Sequence, residues 1–137
     1  MASSIPLHLQ HTHLRLKSDG GIEKLNFDKT FWPRVMNGEL GTFHGEYLVT
    51  CSVHDRNWPS WERHPNGDEI VLLMSGSANF LLESPDGIVV KELRHPGEFV
   101  FVPRGCWHTA NVLAPTSLVF ITAGEGTQGR PRESLGK

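Results

Sequence analysis

Closely spaced turn residues are the feature that most constrains the fold of this chain. Its 137 residues include 14 glycines and 9 prolines, and both residue types interrupt helices. They divide the region from residue 44 to residue 122 into short segments rich in β-branched and aromatic residues, and none of these segments shows helical periodicity. The pattern predicts an all-β domain, either an antiparallel sandwich or a barrel.

Seven strands are predicted in this region, each ended by a turn signal. They span residues 47–53, 70–74, 78–83, 88–93, 99–102, 107–113 and 118–122. Near the start of the chain, alternation of apolar and polar residues predicts short strands at 5–10 and 13–17, and the Asn37-Gly38 pair predicts a hairpin turn.

The length of the chain indicates one domain, residues 1–137. We expect its barrel core at about residues 44–122, with N-terminal strands in residues 1–43. We expect the C-terminal tail, residues 123–137, to lie loosely on the surface because it is rich in glycine and charged residues.

Charge and cysteine content exclude several classes of partner. The chain has 13 basic and 15 acidic residues without a basic cluster, so we expect no nucleic-acid partner. No apolar run is long enough to span a bilayer, so we expect no membrane partner. The two cysteines, Cys51 and Cys106, do not form a disulfide framework, and the first residues lack signal-peptide features. These features favour a cytoplasmic location.

Two segments carry the residue types that bind metal ions. On a strand, Glu62 and His64 point to the same face because side chains alternate. The turn at residues 65–68 allows Glu69 to return towards that face, and His108 follows a Pro-x-Gly corner. Imidazole nitrogens and carboxylate oxygens at such spacings are what a divalent ion needs.

The spacing of these residues resembles the two motifs of the cupin superfamily. In the first motif a histidine is followed, at fixed spacing, by a glutamate and a glycine, and the matching residues are His64, Glu69 and Gly76. The second motif matches at Gly97, Pro103, Gly105 and His108. The resemblance covers about residues 44–122, which is most of the chain.

This resemblance implies a double-stranded β-helix, or jelly-roll barrel, that holds one metal ion. Carried over position by position, the implied metal ligands are Glu62, His64, Glu69 and His108. Ions implied by the family include Fe, Mn, Ni and Zn, and a pair of carboxylates favours harder metals over Cu(I). The resemblance also implies a small-molecule substrate or ligand and a homodimer.

The chain departs from the family pattern at two positions. Glu62 stands where the family usually has its first histidine, and Val112 replaces the final asparagine of the second motif. Asn111 lies one residue early and faces the other way on a regular strand. Three roles are open for Glu62, namely a metal ligand, a catalytic base beside the metal, or a surface carboxylate paired with Arg63.

Three hypotheses for the function follow from the resemblance. The first is a metal-dependent enzyme acting on a small oxygenated substrate, with dioxygenase, decarboxylase, isomerase or lyase chemistry. The second is a non-enzymatic module that binds or senses a small molecule or a metal. The third is a barrel whose polar cluster has no ligand and whose role is structural. The fold does not select among them.

The remaining expectations concern packing around the cluster. Strand register predicts an apolar wall made of Val71, Leu73, Phe99, Phe101 and Val112. Three tryptophans are expected in the core or at a dimer interface, with pocket lining as the alternative, and these are Trp58, Trp61 and Trp107. Cys106 is expected as a small buried hydrophobe, with a reactive thiol as the alternative. His11 and His13 lack the glutamate and glycine of the motif and are interpreted as part of a terminal strand.

Overall fold

Nine strands and one short helix form the secondary structure of residues 4–133, the part of the chain that the computed structural model describes. The strands are β1 (Thr12–Leu16), β2 (Ile22–Asn26), β3 (Tyr47–His54), β4 (Ser60–Arg63), β5 (Glu69–Ser84), β6 (Gly87–Leu93), β7 (Phe99–Val102), β8 (His108–Ala123) and β9 (Gln128–Pro131). The helix, α1, spans Phe31–Met36. No helix in this part of the chain is long and apolar enough to cross a membrane.

The antiparallel pair of β5 and β8 forms the centre of the fold, running from Ile70 opposite Ile121 to Leu82 opposite His108. Strands β7 and β6 pair with successive parts of the other edge of β5, and β3 and β4 do the same along β8. Strands β1 and β2 continue outwards from β3, and β9 from β4. The two ends of the central pair therefore belong to two facing layers, and the predicted all-β jelly-roll fold is confirmed.

A bend in the middle of β5 and β8 separates the two layers. The register of the pair shifts between Leu73 and Ala78, where Gly76 has a φ of 95°. A side chain on Gly76 would collide with the carbonyl oxygen of Pro115 and lie 2.6 Å from Thr116 Oγ1. The strands predicted at 70–74 and 78–83 are thus one bent strand, and so are those at 107–113 and 118–122.

Both ends of the chain depart from the predictions. Residues 5–10 contain bends and a turn instead of a strand. Asn37-Gly38 lies at the end of helix α1 and does not form the predicted hairpin turn. The Asn37 N–H donates to the carbonyl oxygen of Pro33 at 3.0 Å. The tail is not wholly loose, because its residues 128–131 form β9 and pair with β4. Residues 134–137 of the tail lie outside the described residues.

Two apolar clusters stabilise the fold. The main one fills the barrel and consists of Val71, Leu73, Ala78, Phe80, Leu82, Leu93, Val100, Val102, Ala110 and Leu118. The second lies between α1 and the N-terminal strands and contains Leu25, Phe31, Phe43 and Leu48. His13 is buried against this second cluster, with its ring stacked 4.3 Å from that of Phe27.

The predicted apolar wall is correct on β5 and wrong on β7. Val71 and Leu73 are fully buried, whereas Phe99 and Phe101 are 57% and 51% exposed. Pairing places Val102 opposite Glu69 and Val100 opposite Val71. The alternate residues of β7, the two phenylalanines, therefore point outwards.

The bend predicts a specific cost for a side chain at Gly76. Replacing Gly76 by Ala causes the strain of a positive φ and, in addition, a clash of the new Cβ with the backbone. Gly97 is the matched control, because it has the same φ of 95° but no atom within 4 Å of the position that a Cβ would occupy. We expect Gly97→Ala to lower the free energy of unfolding by about 1–2 kcal/mol, and Gly76→Ala by about 1–3 kcal/mol more. Urea denaturation measures both, and equal losses would contradict the assignment of Gly76 to a close backbone approach.

Candidate metal centre

Four polar side chains converge at one end of the barrel. Glu62 lies on β4 and His64 directly follows that strand, while Glu69 and His108 are the first residues of β5 and β8. Glu62 pairs with His108 across the β4–β8 ladder. The N–H of Gly105, in the Pro-x-Gly corner, donates to the carbonyl oxygen of His64 at 3.0 Å, which joins the two motif segments.

Donor atoms of Glu62, His64 and His108 all lie within 4.8 Å of one another. Glu69 contacts both histidines, with Oε1 3.0 Å from His108 Nε2 and Oε2 3.4 Å from His64 Nε2. Ligand atoms bound at about 2.1 Å from an ion are separated by at most about 4.2 Å. The donor atoms of Glu62, His64 and His108 therefore exceed this limit by no more than a fraction of an ångström, and Glu69 adds its contacts to the two histidines.

Each histidine is oriented by the ring nitrogen that faces away from the cluster. His108 Nδ1 lies 3.1 Å from the carbonyl oxygen of Cys106, which can only accept, so this nitrogen carries the proton. His64 Nδ1 lies 2.9 Å from Thr127 Oγ1. Burial lowers the pKa of His108, but the contact with Glu69 and the charge of Glu69 outweigh this effect and raise it, so Nε2 holds a proton towards Glu69 unless a metal ion takes its place. Such outer partners are what fixes the orientation of metal-binding histidines.

Three atoms at the centre of the cluster are buried without a hydrogen-bond partner in the described residues. They are His64 Nε2, His108 Nε2 and Glu69 Oε1. Glu69 lies 3.0 Å from His108 Nε2 and 3.4 Å from His64 Nε2, but these contacts lack the angles of a hydrogen bond. Leaving a buried polar atom unpaired costs about 1–3 kcal/mol, and a cation between them would satisfy all three. The donor set of imidazole and carboxylate fits a divalent ion.

The two carboxylates differ in their electrostatic environment. Burial alone would raise the pKa of Glu69, but the imidazoles of His108 and His64 outweigh this effect and lower it to about 2. Thr122 Oγ1 also donates to Glu69 Oε2 at 2.6 Å. Burial, and next the charge of Glu69, raises the pKa of Glu62. Glu69 is thus held as an anion, while Glu62 is the carboxylate of the pair that accepts a proton first.

Sequence reasoning identified the central residues but not their supports. Thr122, Thr127 and the carbonyl of Cys106 orient the cluster. Thr122 could have been found from its inward-facing position near the end of β8, whereas Thr127 lies in a segment predicted as loose. Asn111 faces away from the cluster, as predicted, and accepts a hydrogen bond from Arg132 at 2.9 Å.

The three tryptophans occupy different environments. The ring of Trp58 packs against the main core cluster, 6.2 Å from the ring of His108. Trp61 and Trp107 are partly exposed and lie outside that cluster. The guanidinium of Arg130 lies 5.3 Å and 4.6 Å from their respective ring centres. The Cys106 thiol, half-buried, donates to the carbonyl oxygen of Glu83 at 3.3 Å.

Similarity to other proteins is visible in structure and not in sequence. Neither a family model nor a curated protein sequence matches this chain. Peruvianin-I, a cysteine peptidase from Thevetia peruviana latex, aligns with a TM-score of 0.52 and 19% identity over 62% of this chain and 56% of its own. Oxalate oxidase in complex with the substrate analogue glycolate aligns with a TM-score of 0.51 and 16% identity over 60% of this chain and 45% of its own.

A cupin-2 domain protein from Shewanella frigidimarina aligns with a TM-score of 0.47 and 19% identity over 63% of this chain and 71% of its own. The chain thus spans about half the length of peruvianin-I and of oxalate oxidase. At these identities the likeness establishes the fold alone. The bent β5–β8 pair and the likeness to these structures show that the chain has the jelly-roll fold that its two cupin motifs predict.

Proposed function

We propose that this protein binds one divalent metal ion at the cluster and is an enzyme acting on a small oxygenated substrate. The observation that supports this most directly is the set of three buried, unpaired atoms of His64, His108 and Glu69, which face one another. These residues, together with Glu62, are the proposed ligands. The solved structures with the same fold include an oxalate oxidase bound to a substrate analogue, which makes oxygen-rich small acids a reasonable substrate class.

The ligand set indicates which ions fit. Two imidazoles and two carboxylates suit Fe, Mn, Ni or Zn, and the carboxylate charges balance that of a divalent ion. When bound, the ion would act as a Lewis acid towards substrate oxygens, or as a redox centre if it is Fe or Mn. Reactions of the dioxygenase, decarboxylase, isomerase and lyase types are all compatible with such a centre.

The chain's own residues supply charge, proton transfer and exclusion of water. Glu69 provides a permanent negative charge between the imidazoles. Glu62 is partly exposed and has a raised pKa, so it can carry a proton between the cluster and solvent as well as act as a ligand. Val71 and Phe80, both fully buried, belong to the apolar cluster that keeps bulk water from the barrel interior. The homodimer and the cytoplasmic location stay predictions.

The metal ligands are tested by elemental analysis of variants. We expect His64→Ala and His108→Ala each to weaken binding of Zn(II) or Mn(II) by more than about 100-fold, because each removes a nitrogen donor from the buried cluster. The matched control is His95→Ala, since His95 is exposed and its ring contacts the Glu98 carboxylate at 3.3 Å, outside the cluster. Metal content per chain by mass spectrometry and affinity by calorimetry give the result.

The same measurement can contradict the proposal. Wild-type protein that takes up none of Fe, Mn, Ni or Zn would leave the cluster as a structural feature. Metal retained at full stoichiometry by the double variant of His64 and His108 would place the ion elsewhere. Metal bound without turnover of oxygen-rich acids, dicarbonyls or catechols would favour a non-enzymatic sensing or binding module.

Thr127 is expected to control metal affinity through His64. Its hydroxyl is the partner of His64 Nδ1 at 2.9 Å, and loss of such an outer hydrogen bond typically weakens metal binding about 10–100-fold. We expect Thr127→Val to show this loss and Thr127→Ser to retain wild-type affinity, as calorimetry with Zn(II) would measure. Thr42→Val, at an exposed position, serves as a control for the same substitution. An equal effect of the Val and Ser variants would exclude the hydroxyl as the cause.

A further inference from the structure

We propose that the indole N–H of Trp58 is a second anchor for the ligand of the metal centre, and that this ligand is a small carboxylic or keto acid. Such an acid reaches the metal with some of its oxygens and keeps another oxygen free to accept the N–H. This inference rests on the proposed function, because it takes the metal as the first anchor of the ligand.

Trp58 lies in the connection between β3 and β4, directly beside the metal centre. The centre of its ring lies 6.2 Å from that of His108 and 5.4 Å from that of Phe80, which it meets edge to face at 84°. The rings of Phe120 and His54 lie 6.0 and 5.7 Å away. Trp58 is therefore the aromatic residue that joins a proposed metal ligand to the apolar interior.

The indole nitrogen of Trp58 is buried, and it has no hydrogen-bond partner in the described residues. Its neighbours explain why the chain supplies none. Phe80 and Phe120 offer only aromatic rings, and His54 already shares a hydrogen bond with Ser52, with Nε2 2.8 Å from Oγ. A buried N–H without an acceptor costs about 1–3 kcal/mol, so an acceptor from a bound ligand would recover this loss.

The main chain of Trp58 is held by hydrogen bonds, and its ring is held by packing against Phe80. The backbone N–H of Trp58 donates to the carbonyl oxygen of Ala110 at 3.0 Å, and the Trp58 carbonyl accepts from Arg132 at 3.2 Å. Next to it, the side chain of Asn57 accepts the N–H of Val112 at 2.7 Å. The unpaired donor is thus held in place before a ligand arrives, which is how a preorganised binding group is built.

The chemistry of this donor selects the class of ligand. Trp58 Nε1 only donates, so the ligand atom that meets it must be an acceptor, such as a carboxylate or carbonyl oxygen. The surrounding phenylalanine rings offer no hydrogen-bond partner for further polar groups, which favours a compact ligand. A compound that binds the metal through two oxygens and retains a further one meets both conditions.

Two chelators separate the role of the indole from that of the metal. Oxalate binds a metal through two oxygens and keeps two more as acceptors, whereas acetohydroxamate binds through two oxygens and keeps none. The full chain is loaded with Zn(II), which is diamagnetic, and its tryptophans are labelled with ¹⁵N. The indole signal of Trp58 is identified as the one that is lost in Trp58→Phe.

We expect oxalate, but not acetohydroxamate, to shift the Trp58 indole proton downfield. We also expect Trp58→Phe to weaken oxalate binding about tenfold, which is the loss of one hydrogen bond, and to change acetohydroxamate binding less than about twofold. Trp32→Phe is the matched control, because Trp32 is 47% exposed and contacts the rings of Phe31 and His13 beside the second apolar cluster.

The outcomes distinguish this proposal from the one on which it rests. Zn(II) and oxalate binding with an unmoved indole signal, or with equal losses for both chelators in Trp58→Phe, overturns the second anchor and leaves the metal centre standing. A Trp58→Phe variant that loses Zn(II) affinity shows that the ring merely packs against His108, which also overturns it. Wild-type protein that binds none of Zn(II), Fe, Mn and Ni overturns both proposals.

Discussion

The bent antiparallel pair of β5 and β8 is the constraint on which the rest of the structure depends. Glu69 begins β5 and His108 begins β8, and these two residues lie at opposite ends of the ladder, since Ile70 is opposite Ile121 and His108 is opposite Leu82. A straight pair of this length would separate them by roughly 40 Å. Their side chains nevertheless lie 3.0 Å apart, so the bend beside Gly76 is what closes the barrel and assembles the cluster.

This dependence explains why much of the cluster could be predicted from the sequence. The turn residues that fix the bend and the corners stand at set distances from Glu69 and His108, so the motif spacing carries the three-dimensional arrangement. The same reasoning fails where no local signal exists. His64, which follows β4, contacts Thr127 in a C-terminal tail that has the composition of a loose surface segment. Strand β9 forms in this tail because it pairs with the edge of β4, which the local sequence does not indicate.

The errors on β7 and at Asn37-Gly38 have a related cause. All four residues of β7, Phe99–Val102, are apolar, so the sequence does not show which alternate pair faces the interior. The pairing with β5 selects Val100 and Val102 for the interior. Asn-Gly pairs occur at the ends of helices as well as in hairpin turns, because both places need a residue with positive φ. Gly38 supplies this residue at the end of α1, with a φ of 82°.

Unpaired buried polar atoms indicate a ligand only where the neighbouring groups would also bind that ligand. The ring nitrogens of His13 also lack hydrogen-bond partners in the described part of the chain, yet its ring stacks on Phe27 and meets the edge of Phe31 at 4.8 Å. Burial lowers the pKa of His13, so the neutral ring behaves there as an aromatic packing residue. At the candidate metal centre the unpaired nitrogens face a carboxylate, so the proposed cation would balance its charge in a low-dielectric interior. The ring of Trp58, whose N–H is also unpaired, lies 6.2 Å from that of His108, and this proximity is why its unpaired donor, unlike the nitrogens of His13, is assigned to a ligand in our proposal.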